Sequence, residues 1–133
     1  MHLPGMLHLS PATGKPLDRQ VPKTVTTVTT AGVLADTDVV VINSGTGALA
    51  FTLSAAQLVN MVDRVVTIIN LTADAHTVAL TGGNFTYPGL ATDADTWTMG
   101  AVTNGSASYI LTFISPTLVH IGPTVGSTIG SVA

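Results

Sequence analysis

The chain has 133 residues, and only 8% of them are charged: seven Asp, two Lys, two Arg and no Glu, for a formal net charge of −3. Average soluble domains carry about 25% charged residues, and four scattered cations argue against the clustered basic groove that nucleic-acid binding needs. The absence of Cys excludes disulfides, thiolate catalysis and Cys-based metal sites. Such a chain is expected to hide much of its surface against other copies or partners.

Residues 1–22 differ in composition from the rest of the chain. Four prolines fall at short intervals, at positions 4, 11, 16 and 22, and each removes a backbone donor and favours extended structure before it. The apolar residues of this segment have no period that would pack them within a domain. They predict an extended N-terminal arm that docks on a partner through Met1, Leu3, Met6, Leu7 and Leu9. The alternative is a disordered terminus that contacts no partner.

Residues 23–122 predict a β-domain of short strands. β-Branched and alternating stretches occupy 23–30, 38–43, 48–53, 64–71, 76–80, 84–90, 96–99, 106–114 and 117–121. One short helix is expected over 54–60, with Ser54 as its cap. Residues 123–133 are rich in Gly and Ser and predict a flexible tail.

The segment 64–71 is apolar on both of its faces. Val66 and Ile68 lie on one face by the period of two, and Val65, Ile69 and Leu71 lie on the other. One face can fill the core of the protomer, so the other needs a partner. Val65, Ile69 and Leu71 are therefore the candidates for a trimer interface.

The strand spacing of 8–12 residues is typical of a sandwich or a barrel. We expect an all-β fold of about seven to nine strands, a small antiparallel β-sandwich or barrel with an extended N-terminal arm, assembled as a trimer. The N-terminus has no basic region before an apolar stretch, so it predicts no secretion signal. The longest apolar runs have four residues, as at 39–42, against the roughly 20 that a membrane helix needs, so no membrane contact is expected.

Two Asp pairs and four His are the candidates for polar chemistry. Asp36 and Asp38, like Asp93 and Asp95, are two apart and would share one face of a strand, where they could hold Ca²⁺ or act as an acid and a base. No calcium-binding loop motif surrounds them, so turn formation is the favoured interpretation. The histidines, at positions 2, 8, 76 and 120, show no ligand spacing, although His120 on a trimer axis could supply three zinc ligands. We predict no catalytic residue, no cofactor and no metal.

The aromatic residues admit two interpretations. Trp97, Tyr87 and Tyr109 could form a platform for a sugar, but aromatic residues this few are more often part of the core.

Several segments between Gly32 and Gly122 resemble a β-module of tailed-bacteriophage structural proteins. The resemblance lies in the motifs Phe51-Thr-Leu-Ser-Ala-Ala56, Arg64-Val-Val-Thr-Ile-Ile-Asn70, His76-Thr-Val-Ala-Leu-Thr-Gly-Gly83 and Gly105-Ser-Ala-Ser-Tyr-Ile-Leu-Thr-Phe113, and in a last strand that ends in Ile121-Gly122. Such modules are similar to trimeric head decoration (cement) proteins and to pieces of tail fibres.

The resemblance implies a non-enzymatic structural role on the outer surface of a virion capsid. It implies a homotrimer that binds the major capsid protein of the assembled head and bridges neighbouring subunits. The alternative is a tail-fibre or receptor-binding module that recognises a host surface glycan. A third hypothesis, a glycan lyase, needs convergent acid and base residues, which the scattered Asp and His do not supply.

Overall fold

The computed structural model describes residues 23–44, 47–102 and 105–133. In chain order, its elements are β1 Val25–Val28, β2 Gly32–Val33, β3 Val39–Ile42, β4 Ala50–Leu53, α1 Ala55–Met61, β5 Val65–Asn70, β6 Thr77–Leu80, β7 Asn84–Thr86, β8 Thr96–Thr98, β9 Ala107–Ser115, β10 Leu118–Pro123 and β11 Ser131–Val132. Strands hold 45% of the described residues and helix 7%, which confirms the all-β prediction. The predicted arm, residues 1–22, lies outside the described residues and stays a prediction.

The strands form two sheets that enclose a common core. One sheet has six strands in the order β1-β3-β5-β9-β10-β7, and the other has five in the order β11-β8-β6-β4-β2. The chain passes from one sheet to the other at every step from β1 to β9. Neighbouring strands within a sheet are therefore mostly separated along the chain by a strand of the opposite sheet.

The prediction of an antiparallel fold is wrong for about half of the strand pairs. β1, β3 and β5 run parallel in the larger sheet, and β2, β4 and β6 run parallel in the smaller one. Antiparallel pairing joins β5 to β9, β9 to β10, β6 to β8 and β8 to β11. Parallel strands need a crossover, and here a strand of the other sheet supplies it. The period of two gives the buried face of a strand but does not identify its neighbour.

The core is built from the inward side chains of both sheets. In β5, Val66 and Ile68 are fully buried, and in β9 the inward positions Tyr109, Leu111 and Phe113 are equally inaccessible. The smaller sheet contributes the buried residues of β4, β6 and β8: Phe51, Leu53, Val78, Leu80 and Trp97. Alternate residues of these strands face outward, because successive side chains of a strand point to opposite faces.

Helix α1 closes the core between β4 and β5. Ser54 caps it as predicted: the Ser54 side chain accepts a hydrogen bond from the Gln57 N–H, and the Gln57 side chain accepts one from the Ser54 N–H. This capping box satisfies two N–H groups that the first turn leaves unpaired. Leu58 and Met61 anchor the helix in the core.

The C-terminal segment differs from the predicted flexible tail. Residues 131–132 form β11 along β8, and the N–H and C=O of Ala133 both bond to Thr96. The Trp97 indole N–H donates to the Ile129 carbonyl at 2.7 Å, and the Tyr109 hydroxyl donates to the Thr128 carbonyl at 2.6 Å. Both rings are fully buried and meet edge to face, with centroids 4.8 Å apart. The tail therefore supplies the acceptors for two core donors, which its Gly and Ser composition does not indicate.

Gly130 and Gly126 form a matched pair for testing this docking. Their φ angles are +86° and +84°, so alanine at either position carries the left-handed backbone cost of about 1–2 kcal/mol. A Cβ at Gly130 would overlap the Thr98 carbonyl oxygen, whereas a Cβ at Gly126 would meet nothing within 4 Å. Gly130→Ala should therefore displace the tail and leave the Trp97 and Tyr109 donors unpaired, at about 1–3 kcal/mol each. In urea unfolding it should cost at least about 2 kcal/mol more than Gly126→Ala, and equal losses would contradict the docking.

Candidate functional site

The outer face of the six-stranded sheet carries branched apolar and hydroxyl side chains. Its outward positions on the inner strands β3, β5, β9 and β10 include Val39, Val41, Val65, Thr67, Ile69, Ile110, Thr112, Ile114, Leu118 and His120. Across all six strands of this sheet, no outward position carries Asp, Lys or Arg. An uncharged apolar sheet face is typical of a surface that another protein covers. We call it the apolar sheet face.

The structure places the three trimer-interface candidates together on this face. Val65 is 50% exposed and Leu71, directly after β5, is 47% exposed, whereas Ile69 between them is half-buried. Their inward neighbours Val66 and Ile68 are fully buried. The predicted division of β5 into two faces is confirmed, and the role of the outer one as an interface stays a prediction.

The sequence analysis missed the contribution of β9 to the apolar sheet face. Ile110 is 41% exposed and Ile114 is 48% exposed, and the register sets Ile110 directly opposite Thr67 of β5. The pattern of 106–114 contained the signal, since Ile110 and Ile114 alternate with Tyr109, Leu111 and Phe113, which share the opposite face by the period of two.

Charged residues cluster at the end of the sheet where β3 and β5 begin. The Asp38 carboxylate accepts hydrogen bonds from the Thr24 N–H and hydroxyl, at 3.0 and 3.1 Å. These bonds lower the pKa of Asp38, and Arg64 and Lys23 add to that effect. The Arg64 guanidinium lies 4.0 Å from Asp38 and donates to the Asp36 carbonyl. Asp38 thus ties the residue before β1 to the start of β3 and lies beside Arg64 ahead of β5, whereas Asp36 contributes only its main-chain carbonyl.

The outer face of the five-stranded sheet has a different chemistry. Its outward positions on β4, β6 and β8 are small or hydroxylated: Ala50, Thr52, Thr77, Ala79, Thr96 and Thr98. The register sets Ala50, Thr77 and Thr98 in one row across the three strands. On the edge strand β2, Val33 faces outward in register with Thr52 and is 63% exposed. The two outer faces of the sandwich therefore differ in how many large apolar side chains they expose.

A polar concavity of about 420 Å³ lies where β7, β8 and the β9–β10 turn approach one another. It is lined by Gly82, Gly83, Asn84, Asp95, Ser115, Thr117 and Leu118. Asp95, from the second Asp pair, also accepts a hydrogen bond from the Thr96 hydroxyl at 2.9 Å. Amide, hydroxyl and carboxylate groups can hydrogen-bond a hydroxyl-rich ligand.

The proposed aromatic platform does not exist as an exposed surface. Trp97 and Tyr109 are fully buried, while Tyr87 is partly buried and packs against the core. The structure thus confirms the alternative interpretation, in which these rings belong to the core.

His76 is fully buried at the centre of a polar cluster. Its Nδ1 accepts a hydrogen bond from the Leu49 N–H at 2.8 Å, and its Nε2 lies 2.7 Å from the Thr72 hydroxyl. The Thr72 hydroxyl also bonds to the buried Asn70 carboxamide oxygen at 2.8 Å. Since Nδ1 accepts, the neutral ring carries its proton on Nε2. The cluster links the start of β4 to the β5–β6 connection, so His76 has a structural role.

Among the residues that the structure describes, no three His or Asp side chains come together in a group that could hold a metal ion. None of the helical segments in the described ranges has the length and apolarity that crossing a membrane requires. His120 lies on the apolar sheet face, in register with Thr112 of β9 and Thr86 of β7. The docking residues Met1, Leu3, Met6, Leu7 and Leu9 lie outside the described residues.

Comparison with known proteins gave no relative: no family model, no curated protein and no solved structure matches this chain.

The buried His76 ring predicts a loss of stability at mildly acidic pH. Desolvation lowers the pKa of His76, and the nearby Asp74 carboxylate only partly opposes this effect. At pH values above the ordinary histidine pKa of about 6.5, the His76 ring is neutral in both the folded and the unfolded chain, so it adds no pH dependence to the stability there. As the pH falls below that value the unfolded chain gains the proton first, and the free energy of unfolding drops by at most about 1.4 kcal/mol per pH unit.

Urea unfolding at pH 7.5 and pH 5.5 measures this effect. His76→Gln should be less stable than the native chain at both pH values. The difference between its free energies of unfolding at pH 7.5 and pH 5.5 should be much smaller than that of the native chain. His120→Gln is the matched control and should keep the native difference. An unchanged pH dependence in His76→Gln would contradict the assignment.

Proposed function

We propose that this protein is a structural component of a tailed-bacteriophage virion, a decoration (cement) protein that binds the assembled head as a homotrimer. The observation that carries the proposal is the apolar sheet face, where Val65, Ile110 and Ile114 are each about half exposed and no outward position of the strands carries a charge. Asp63 and Arg64 border the face directly before β5. An exposed apolar face lowers the solubility of a monomer, and a chain with only 8% charged residues has few charges to offset this. The protein is thus suited to permanent assembly.

The resemblance of several strands to phage structural modules indicates which assembly the protein would join, namely the head of a tailed phage. A decoration protein bridges neighbouring major capsid subunits on the outer surface of the head, and it acts without catalysis. Because it binds the assembled shell and not its separate subunits, it stabilises the assembled state by mass action. The protein would then act through two surfaces. The apolar sheet face would contact its own copies, and the arm would contact the shell.

The arm is the proposed contact with the capsid. Burying one of its apolar side chains contributes roughly 1.5–3 kcal/mol before the cost of ordering the segment is subtracted. Prolines reduce that cost, because they restrict the unbound chain as well. Three arms on one trimer raise the effective concentration of each after the first has bound.

A substitution in the arm tests the capsid contact. The triple variant Met6→Ser, Leu7→Ser and Leu9→Ser should keep the oligomeric state and the unfolding midpoint of the native protein, because these residues precede the β-domain. Its affinity for purified heads, measured by co-sedimentation over a range of concentrations, should fall more than tenfold.

Val125→Ser is the control for this variant, since Val125 is fully exposed and plays no part in the proposed contact. It should bind heads like the native protein. Native affinity in the triple variant would show that the arm does not contact the shell. No binding of the native protein to any head, with intact trimers, would overturn the decoration function.

The polar concavity favours a second candidate function, a tail-fibre or receptor-binding module for a host glycan. Asn84, Asp95, Ser115 and Thr117 offer hydrogen-bonding groups at one accessible site. The burial of Trp97 and Tyr109 removes the stacking surface that sugar sites commonly use. Binding to a glycan array that Asp95→Ala abolishes, without binding to heads, would favour this function over decoration.

A further inference from the structure

The strands β1 to β6 form three turns of a coil, each with one strand in either sheet. β1 and β2 make the first turn, β3 and β4 the second, and β5 and β6 the third, and equivalent strands of successive turns pair in parallel. Antiparallel strands cover the third turn, since β9 pairs with β5 and β8 pairs with β6. Within the described ranges, no strand covers the other side of β1 or of β2. The end of such a stack requires a cover, because an open last turn presents unpaired backbone groups and part of its core.

The inward side of the first turn is incompletely buried. Val28 of β1 lies beside Ile42 of β3 in the register, on the face that packs against the core. Ile42 is fully buried, whereas Val28 is only partly buried. The core therefore thins towards the side of the coil that no described strand covers.

The backbone of β2 is available for another strand. The Leu34 N–H donates to the Thr52 carbonyl of β4 at 3.0 Å. In a parallel ladder, alternate residues of a strand bond to the same neighbour, so the N–H and C=O of Val33 point to the free side of β2. The Val33 side chain is also 63% exposed. β2 thus offers an unpaired donor and acceptor at the open end of the coil.

The segment directly before β1 has the right place in the chain to pair with this edge. The strands that precede β3 and β5 in the opposite sheet are β2 and β4, so the same order sets the strand that precedes β1 beside β2. Pro16 and Pro22 bracket five residues, 17–21, that keep all of their N–H donors. Residues 22–24 then cross between the sheets: four Cα steps reach roughly 13 Å, and packed sheets lie about 10 Å apart.

The side chains of residues 17–21 match an edge strand. Leu17, Arg19 and Val21 share one face by the period of two, and Asp18 and Gln20 share the other. With the first set inward, Leu17 and Val21 extend the core at its thin side. Arg19 between them is an inward-pointing charge, a device that stops an edge strand from pairing further, and its long side chain can reach water at the open end. Asp18 and Gln20 then face the solvent.

We propose that residues 17–21 add a strand to the free edge of β2, parallel to it, and so close the first turn of the coil. The β-domain then begins at Leu17, and the docking arm is reduced to residues 1–16, which keep its apolar docking residues. The added strand belongs to the β-domain itself, so the inference goes beyond the proposed function and holds whether or not the protein binds heads.

Leu17→Ser and Leu9→Ser are the same substitution on either side of the proposed boundary. In the full chain, Leu17→Ser should lower the urea midpoint and raise the exchange rate of the Val33 amide hydrogen at least about tenfold, because the strand that protects this amide opens. Leu9→Ser should change neither quantity. Equal midpoints and equal exchange rates in the two variants would overturn the proposal.

A spin label locates the segment by a second, independent measurement. The chain has no Cys, so Gln20→Cys carries a single label. This label should strongly broaden the amide resonances of Val33 and Thr52, and much less that of Thr98, which lies further across the same sheet. Ala12→Cys, in the arm, is the control and should not broaden these resonances selectively. Absence of broadening at Val33 by the label at position 20 would overturn the proposal.

A mixed sample identifies the chain from which the strand comes. In an oligomer reassembled from spin-labelled chains and isotope-labelled chains, the label at position 20 should leave Val33 of the isotope-labelled chains sharp. Strong broadening there would show that another copy covers the edge of β2 and would overturn the proposal. If Leu17→Ser fails to fold, the spin-label result decides.

Discussion

The alternation of strands between two sheets is the constraint on which the rest of this structure depends. From β1 to β9 every step along the chain crosses the core, so each strand pairs with a strand that lies beyond an intervening crossing. Each sheet therefore draws its strands from most of the length of the described chain. The inward residues of both sheets must therefore pack together as one unit, and Trp97 and Tyr109 meet at its centre. Non-local pairing of this kind predicts slow, highly cooperative folding.

This constraint also determines what the two outer faces can do. Because the inward positions are committed to the core, the outward residues are free to differ between the sheets. The inner strands of the five-stranded sheet present small and hydroxylated groups, and its edge strand β2 exposes Val33. The six-stranded sheet presents Val25, Val65, Ile110 and Ile114. Charged groups at the ends of the strands, such as Arg64 with Asp38, join β3 to β5 without interrupting the face. A sandwich with one uncharged apolar face is suited to the proposed self-assembly, which would compensate for the low charge of the chain.

The sequence predicted those features that depend on local pattern. The Ser54 cap of α1, the two faces of 64–71 and the all-β class all follow from residue type and period. Strand direction was not predictable, because alternation reveals which side chains are buried but not which strand lies alongside. The docking of the tail was missed for a related reason: the Thr128 and Ile129 carbonyls accept from Tyr109 and Trp97, and main-chain groups leave no trace in composition. The buried position of His76 was equally hidden, since its Leu49 and Thr72 partners lie 27 and 4 residues away.

The central claim is that the apolar sheet face is buried between copies of the chain. Isotope-filtered nuclear Overhauser spectroscopy on an oligomer reassembled from labelled and unlabelled chains tests it most directly, because it detects only contacts between different copies. The account predicts intermolecular contacts among the methyl groups of Val65, Ile110 and Ile114. Intermolecular contacts confined to the methyl groups of Thr52 and Thr98, or none at all, would contradict it.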